Sequence, residues 1–383
     1  MIDITQGLPL LGGLSPALFM KRHWQKKPLL IRQAVPGMQP LLDRAALFDL
    51  AGDEAVESRL IAQAGTGWKL RSGPFPRRAL PPVKQPGWTL LVQGVDQHVD
   101  SVHDLLAQFR FAPDARLDDL MVSYASDGGG VGPHFDSYDV FLLQAHGRRR
   151  WRIGRQKDLS LVEGAPLKIL AQFEPEEEFV LEPGDMLYLP PRYAHDGVAE
   201  GECMTYSIGF RAPKRGDFAR ELLQRMADEA DEALGQALYK DPGQPAVATP
   251  AAIPAALEDF ARGALESLLG DRLALACALG EVLTEPKANI WFDADAEADA
   301  VDDEEAPVLL GGLTLDRRTR MMYDPQHVFI NGESYRAGGR DAVLMRRLAD
   351  QRHLTATDMA RASADARSLL ASWCASGWAR AAG

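Results

Sequence analysis

The sequence has little cysteine and no long hydrophobic run. Only three cysteines occur among 383 residues, Cys203, Cys277 and Cys374, and their odd number and wide spacing exclude a disulfide framework or a clustered thiolate zinc site. No stretch approaches the roughly 18 uninterrupted apolar residues that a membrane-spanning helix needs, and the N-terminus lacks a basic region followed by an apolar one. We therefore expect a soluble, unexported protein of the reducing cytoplasm, with no membrane partner.

The sequence also lacks an excess of basic residues. Acidic residues outnumber basic ones 54 to 42, which gives a formal net charge of -12. A surface of this charge does not favour direct binding to nucleic acid. A basic protein partner suits it better.

The residue pattern changes along the chain. Up to about residue 100, helix-like segments mix with turn clusters, and the apolar run Pro28–Ile31 is typical of a strand. From Leu120 to Pro213, short alternating apolar runs are separated by glycine, proline and aspartate, which is the pattern of an all-β domain. Beyond this region, apolar residues recur three and four apart, which indicates amphipathic helices at 217–239 and 254–269.

The C-terminal part has two further features. Eight carboxylates fall within the thirteen residues 293–305, a like-charge block of the kind that forms a solvated loop. Asn331-Gly332 lies between two short runs in 327–337, which predicts a β-hairpin, and two amphipathic helices follow. Helices with a small hairpin suggest a winged-helix-like module. The pattern thus predicts three parts, with boundaries at 1–213, 214–290 and 291–383.

Side chains able to bind a metal concentrate in two segments. In the first, His134 and Asp136 flank one residue, so both side chains would project from the same face of a β-strand. In the second, Met186 to Leu189 is typical of a strand, and His195 follows it after two prolines. Two imidazoles and one carboxylate form the ligand triad of non-haem Fe(II) oxygenases, which leaves positions open for a cosubstrate and O2. The sequence therefore predicts an Fe(II) site at His134, Asp136 and His195.

The spacing of glycines around these ligands resembles the two motifs of the cupin superfamily. Gly128 lies six residues before His134, and Gly147 lies eleven after Asp136, which stands where many cupins carry a second histidine. The HxD pair followed by QAHGRRRW is similar to the JmjC branch of Fe(II)/2-oxoglutarate oxygenases. Within that branch, PHFDSYDVFLLQAHGRRRWRIG, PGDMLYLPPRYAHDGVA and YSIGFRAP resemble the bacterial ribosomal oxygenases, which hydroxylate an arginine of the large-subunit ribosomal protein numbered sixteen.

This resemblance covers nearly the whole chain, because the family also has an N-terminal segment like HWQKKPLLIRQA. It implies an α+β fold in which residues 1–213 form a double-stranded β-helix, the cupin/JmjC jelly roll, with N-terminal helices. Residues 214–290 would form a helical dimerisation region and 291–383 a winged-helix-like domain. The resemblance further implies a homodimer that uses Fe(II), 2-oxoglutarate and O2 to hydroxylate an arginine side chain, at Cβ, of a basic ribosomal protein.

In such an enzyme, 2-oxoglutarate needs a cation for its remote carboxylate. The three arginines of QAHGRRRW alternate in direction along a strand, so they cannot all enter the barrel. The JmjC pattern places the cation second after the glycine, which implies Arg149, whose planar fork can hold a carboxylate through two hydrogen bonds. Arg148 and Arg150 then face the other way. A supporting hydroxyl would come from Ser123 or Ser207, and the sequence does not choose between them.

An arginine substrate would gain from a carboxylate and an aromatic face at the mouth of the pocket. Asp127, at the start of the DGGG loop, and Tyr138, two residues after Asp136, are the candidates, although each could instead cap a loop or pack. Tyr188 is expected in the core. The other six histidines have no ligand-like spacing to one another.

Two other functions stay open at this point. The same barrel could serve a small-molecule cupin dioxygenase or isomerase that uses no 2-oxoglutarate, although Arg149 and the large C-terminal half favour a protein substrate. A catalytically silent JmjC-like module in ribosome assembly or nucleic-acid binding would keep the fold and show no turnover.

Overall fold

A computed structural model describes residues 3–65, 67–292 and 311–381 of the chain. The chain divides into two compact units, Met1–Ala212 and Pro213–Gly383. The predicted boundary at 290/291 within the second unit stays a prediction, and the acidic block at 293–305 lies outside the described residues. Within the described ranges, every helix is too short or too polar to span a bilayer.

The first unit is built on one antiparallel sheet. Its strands are β1 (Leu29–Ile31), β2 (Ser58–Ala64), β3 (Gly67–Ser72), β4 (Trp88–Val92), β5 (Leu117–Ala125), β6 (Val140–Gly154), β7 (Glu177–Leu181), β8 (Met186–Leu189) and β9 (Ala194–Phe210). Its helices are α1 (Pro16–Arg22), α2 (Arg44–Leu50) and α3 (Asp100–Ala107). The strands follow the order β1-β8-β6-β9-β5-β4-β2-β3, and β7 pairs with β6. The predicted strand at Pro28–Ile31 is confirmed as β1.

The long strands β6 and β9 lie side by side in the middle of this sheet and give it two apolar faces. Phe141 and Leu143 of β6 pack into the large core that also contains residues of α1, α2 and α3. Val140 and Leu142 point to the opposite face and join a smaller cluster with Trp151. Because side chains alternate along a strand, β6 supplies both layers.

Tyr188 lies in the core, as predicted from the sequence. Its hydroxyl donates a hydrogen bond to Asp139 Oδ1 at 2.6 Å and accepts one from the backbone N–H of Gln25 at 2.8 Å. Burial and the neighbouring Asp139 carboxylate raise the pKa of Tyr188 well above its usual range, so the phenol stays neutral. These bonds tie the segment between α1 and β1 to the central sheet.

The second unit combines helices with two small sheets. The helices are α4 (Arg215–Asp228), α5 (Ala230–Leu234), α6 (Ala255–Gly270), α7 (Arg272–Thr284), α8 (Gly339–Gln351), α9 (Ala356–Met359) and α10 (Ala364–Ala375). The strands are β10 (Gly312–Leu315), β11 (Met321–Tyr323), β12 (His327–Ile330), β13 (Glu333–Arg336), β14 (His353–Thr355) and β15 (Ala379–Ala381). They form the sheets β14-β10-β15 and β11-β12-β13.

The predicted hairpin at Asn331-Gly332 is confirmed. It joins β12 to β13, with Ile330 paired to Glu333. The turn residues have φ values of 47° and 88°, and two consecutive positive φ angles are the mark of the type I′ turn that Asn-Gly favours.

The helix predicted at 217–239 is shorter than expected and interrupted. Glu229, with φ -101° and ψ 0°, separates α4 from α5, and α5 ends at Leu234 because Gly235 adopts a φ of 70°. The apolar periodicity continues through this break, so it could not reveal the change in backbone. The helix predicted at 254–269 is confirmed as α6, with Pro254 at its N-cap.

Candidate metal centre

His134, Asp136 and His195, referred to below as the triad, come together at one point of the first unit. One ligand atom from each lies within 4.8 Å of the other two, and His195 Nε2 is 3.7 Å from Asp136 Oδ2. His195 is the second residue of β9, whereas His134 and Asp136 lie in the segment that connects β5 to β6. Three donors at this spacing could hold one metal ion.

The backbone at the triad differs from the prediction in one respect. His134 and Asp136 were expected on a regular strand, but His134 forms only an isolated bridge with His195. The N–H of His134 donates to the carbonyl of His195 at 2.9 Å, and the N–H of His195 donates back at 2.8 Å. This reciprocal pair fixes the two histidine backbones to each other. The Asp136 carbonyl accepts from the N–H of Arg192 at 2.7 Å, so the third ligand residue is also held through its backbone.

The two imidazoles are oriented by backbone carbonyls. His134 Nδ1 lies 2.8 Å from the carbonyl of Gly132, and His195 Nδ1 lies 2.9 Å from that of Tyr193. Since a carbonyl only accepts, each Nδ1 carries the proton, and the lone pair of the neutral ring is on Nε2. Burial and the neighbouring His134 lower the pKa of His195 to about 4, which favours the neutral form that binds metal. The donor set therefore forms a two-histidine, one-carboxylate site, which suits a divalent metal ion such as Fe(II).

A cavity of about 380 Å³ opens beside the triad, with walls from β2, β5, β6 and β9. Arg149 points into it and is only 4% exposed. Arg149 Nη1 donates to Ser123 Oγ at 3.1 Å, and its guanidinium carbon lies 5.7 Å from the centre of the Trp151 ring.

Several buried donors in this cavity have no protein acceptor. Arg149 Nε, Arg149 Nη2 and Trp151 Nε1 find no hydrogen-bond partner within the described residues. Orphaned buried donors cost free energy unless a ligand or water satisfies them. A cationic fork with two open N–H groups, facing a cavity that also contains the triad, fits the remote carboxylate of a dicarboxylic cosubstrate such as 2-oxoglutarate.

The neighbouring arginines lie on the other side of the strand. Arg148 is within 3.3 Å of Glu200, and Arg150 forms ion pairs with Glu178 and Glu200. Both side chains are about half exposed, so neither reaches the cavity.

The remaining predicted residues divide into two groups. Ser123, Ser207 and Tyr138 all line the cavity. Tyr138 as a whole residue is 38% exposed, and desolvation together with nearby Asp136 raises the pKa of its phenol far above the physiological range. Asp127 does not line the cavity. Its Oδ1 accepts a hydrogen bond from the N–H of Gly201 at 2.8 Å, so it caps a loop and its position does not support the predicted contact with substrate.

Two acidic residues at the cavity, Asp118 and Asp119, escaped the sequence prediction. Asp119 is buried and both its oxygens accept from Gln93 Nε2 at 3.0 Å, while Asp118 Oδ1 lies 3.3 Å from Arg211 Nε. The sequence could have indicated Asp119, because it lies four residues before Ser123 in β5 and strand alternation puts both side chains on one face.

Comparisons with known proteins identify the families to which this chain is similar. A family model described as JmjC domain matches residues 104–218, and one described as a ROXA-like winged helix matches residues 267–380. The ribosomal protein uL16 3-hydroxylase of Escherichia coli is 34% identical over 336 residues, which cover 85% of this chain and 86% of that protein. A probable ribosomal oxygenase of Haemophilus influenzae is 38% identical over 205 residues, 52% of this chain and 50% of that protein.

A solved structure is also similar over almost the whole length. It is the Escherichia coli ribosomal oxygenase YcfD in complex with cobalt and 2-oxoglutarate, with a TM-score of 0.75 and 32% identity, covering 96% of this chain and 98% of that one. Together with the triad, these similarities confirm the predicted α+β fold, a JmjC jelly roll with a winged-helix domain, and the cofactors Fe(II) and 2-oxoglutarate. The chain belongs to the JmjC ribosomal oxygenase family.

Proposed function

We propose that this chain is a 2-oxoglutarate-dependent oxygenase that hydroxylates an arginine side chain, at Cβ, of a large-subunit ribosomal protein. The observation that carries the proposal is the convergence of the triad and the buried Arg149 on one cavity. The substrate class is supported by 34% identity to a uL16 3-hydroxylase across most of the chain.

In this proposal, Nε2 of His134, Nε2 of His195 and a carboxylate oxygen of Asp136 bind Fe(II). With 2-oxoglutarate and O2, ferrous iron supplies the chemistry that adds one oxygen atom to a C–H bond while the cosubstrate becomes succinate and CO2. The chain contributes ligand orientation through the Nδ1 contacts to Gly132 and Tyr193, and it needs no general base.

Arg149 is proposed to bind the remote carboxylate of 2-oxoglutarate, with Ser123 holding its Nη1 in place. Trp151 Nε1 is a further donor available to an acceptor in the cavity. Ser207 lies on β9, the strand between β5 and β6, and provides a second hydroxyl at the cavity wall. The geometry favours Ser123 as the supporting hydroxyl because it contacts Arg149 directly.

The substrate guanidinium is proposed to bind at Asp118, Asp119 and Tyr138. Two carboxylates and an aromatic face offer both charge-assisted hydrogen bonds and ring contact to a cation. Arg59 also lines this side of the cavity, where its Nη2 donates to Gln93 at 3.2 Å and its Nε lies 3.7 Å from Glu57. The net charge of -12 would further speed encounter with a basic ribosomal protein, and such a substrate also suits a cytoplasmic enzyme.

The test is turnover of purified protein with Fe(II), 2-oxoglutarate and uL16, measured as succinate formed and as one added oxygen atom by mass spectrometry. We expect succinate to rise with uL16 and the added oxygen to lie on an arginine. Turnover with a small molecule and none with ribosomal proteins would contradict the proposal in favour of a small-molecule cupin oxygenase. No turnover with either would favour a silent JmjC-like module.

Asp119→Asn is expected to lower kcat/KM for the protein substrate by about 10- to 100-fold, because a charge-assisted bond to the substrate cation becomes a neutral one. Asparagine keeps the shape and an acceptor for Gln93, so the KM for 2-oxoglutarate should not change. Asp127→Asn is the matched control, since its oxygen can still cap the loop at Gly201. Equal losses in the two variants would contradict the assignment of Asp119.

We also propose that the second unit forms the homodimer contact. Helix α6 exposes four apolar side chains, each between 39% and 59% exposed: Leu257, Phe260, Leu265 and Leu269. Leu265 and Leu269 lie one turn apart on one face of the helix, and a second copy of the chain would bury them.

Light scattering on the intact protein is expected to give a dimer mass. The double variant Leu265→Glu/Leu269→Glu should give the monomer mass, whereas Glu266→Gln on the same helix should not. A wild-type monomer at micromolar concentration would rule out this contact.

A further inference from the structure

The side chains of strand β6 do not alternate regularly between the two faces of the sheet along its whole length. Leu142 and Arg149 both line the cavity, although they are seven residues apart. In a regular strand, residues separated by an odd number point to opposite faces. The strand must therefore contain an irregularity between them, and without it Arg149 would point away from the cavity.

The pairing with β9 locates this irregularity. Gln144 pairs with Thr205 and His146 with Met204, so two steps along β6 face one step along β9. The next pair, Arg148 with Glu200, shows a second shift. An extra residue in one strand of a pair is a β-bulge, which re-aims the side chains that follow it.

Gly147 permits the bend at this bulge. Its φ of 61° lies in the left-handed region, and a Cβ added there would stand 2.1 Å from the carbonyl oxygen of Glu202. Only glycine fits that position without displacing backbone. The conformation at Gly147 allows the bulge, but it does not by itself hold the bulge in one arrangement.

The side chain of Gln144 holds the bulge in one arrangement. This side chain is fully buried, and its Nε2 donates to the carbonyl of His146 at 2.8 Å and to that of Gly147 at 3.4 Å. Its Oε1 accepts from Thr205 Oγ1 at 2.9 Å. One amide thus connects two carbonyls of the bulge to the neighbouring strand β9.

The backbone of Gln144 is pinned as well. Its N–H donates to the carbonyl of Asp185 at 2.9 Å, and its carbonyl accepts from the N–H of Gly184 at 2.9 Å. The amide side chain therefore extends from a fixed point of the sheet, and the bulge is the part that it positions.

We infer that Gln144, which no contact places in the cavity, is a positioning residue for cosubstrate binding: its amide holds the bulge that turns Arg149 toward the triad. The inference rests on the proposed role of Arg149. It gives a physical reason for the glutamine in QAHGRRRW, which neither the triad nor the carboxylate clamp requires.

The test compares Gln144→Met with Thr205→Val. Methionine has nearly the length of glutamine but cannot donate to the two carbonyls, so we expect the KM for 2-oxoglutarate to rise about 10- to 100-fold, as for a binding group moved by about 1 Å. The kcat at saturating 2-oxoglutarate should stay within about threefold, because the triad is untouched. Thr205→Val removes only the outer bond and should lower the unfolding temperature while leaving this KM within about twofold.

A second readout does not depend on turnover. The Kd of 2-oxoglutarate for the Co(II)-substituted protein, measured by calorimetry, should rise in Gln144→Met by the same factor as the KM, with Co(II) affinity unchanged. If Gln144→Met does not fold, Gln144→Leu replaces it, since leucine also removes the donor to both carbonyls without burying a charge. Unchanged 2-oxoglutarate affinity in the folded variant would overturn the inference.

The two proposals fail separately. If Arg149→Met leaves 2-oxoglutarate affinity unchanged, the proposed role of Arg149 is wrong and the role of Gln144 falls with it. If Arg149→Met weakens binding and Gln144→Met does not, only the positioning role is wrong.

Discussion

Replacing His134 with alanine is expected to abolish succinate formation and to weaken divalent metal binding by at least about 100-fold. The variant removes one of three ligands, and loss of even an outer hydrogen-bond partner typically costs about 10- to 100-fold in metal affinity. The fold should persist, because the reciprocal hydrogen bonds between residues 134 and 195 use backbone atoms only.

The measurement is Co(II) binding by absorbance titration, followed by succinate release with Fe(II). His353→Ala is the matched control: this imidazole is exposed in the second unit, with Nδ1 3.0 Å from the carbonyl of Gln351. Full turnover in His134→Ala would show that the triad is not the metal site.

Replacing Arg149 with methionine is expected to raise the KM for 2-oxoglutarate by about 100-fold or more. Removing one partner of a buried, hydrogen-bonded charge pair costs about 2–5 kcal/mol, and this arginine is 4% exposed. Arg149→Lys keeps the charge but loses the planar fork, so its KM should fall between those of wild type and Arg149→Met.

Arg148→Met provides the control for charge and strand position. Its side chain points outward to Glu200 and Glu182, and its loss should leave the KM for 2-oxoglutarate within about twofold. Steady-state kinetics with varied 2-oxoglutarate at saturating protein substrate separates the two variants. Similar KM values in Arg148→Met and Arg149→Met would indicate a general charge effect and contradict a specific clamp.

The ligand triad could be read from the sequence because one-residue spacing depends only on extended backbone. His134 and Asp136 point the same way even though they do not lie on a regular strand, since local alternation needs no neighbouring ladder. What the spacing could not reveal was the partner of that segment. The isolated bridge between His134 and His195 joins residues 61 positions apart, and no local pattern encodes such a contact.

The alternation of side chains along a strand was a less reliable guide to which residues face the cavity where the backbone is irregular. Alternation could not select one arginine from the three in QAHGRRRW. The bulge before them changes whether the odd-numbered or the even-numbered residues of β6 face the cavity. The family pattern supplied that choice. Asp127 shows a different failure: its place at the start of the DGGG loop suggested a substrate contact, whereas its carboxylate accepts a hydrogen bond from the N–H of Gly201. Asp119 was accessible to an alternation argument, because it lies four residues before Ser123 in β5.

The carbonyls of Gly132 and Tyr193 fix the tautomer and the direction of the two imidazoles through hydrogen bonds within the protein. In small zinc modules, by contrast, the metal supplies the folding free energy and its removal unfolds the chain. Loss of iron from this protein should therefore leave the chain folded, with the melting temperature lowered only by the free energy of metal binding. Hydroxylation capacity in the cell would then follow the supply of ferrous iron, because the iron-free protein stays folded.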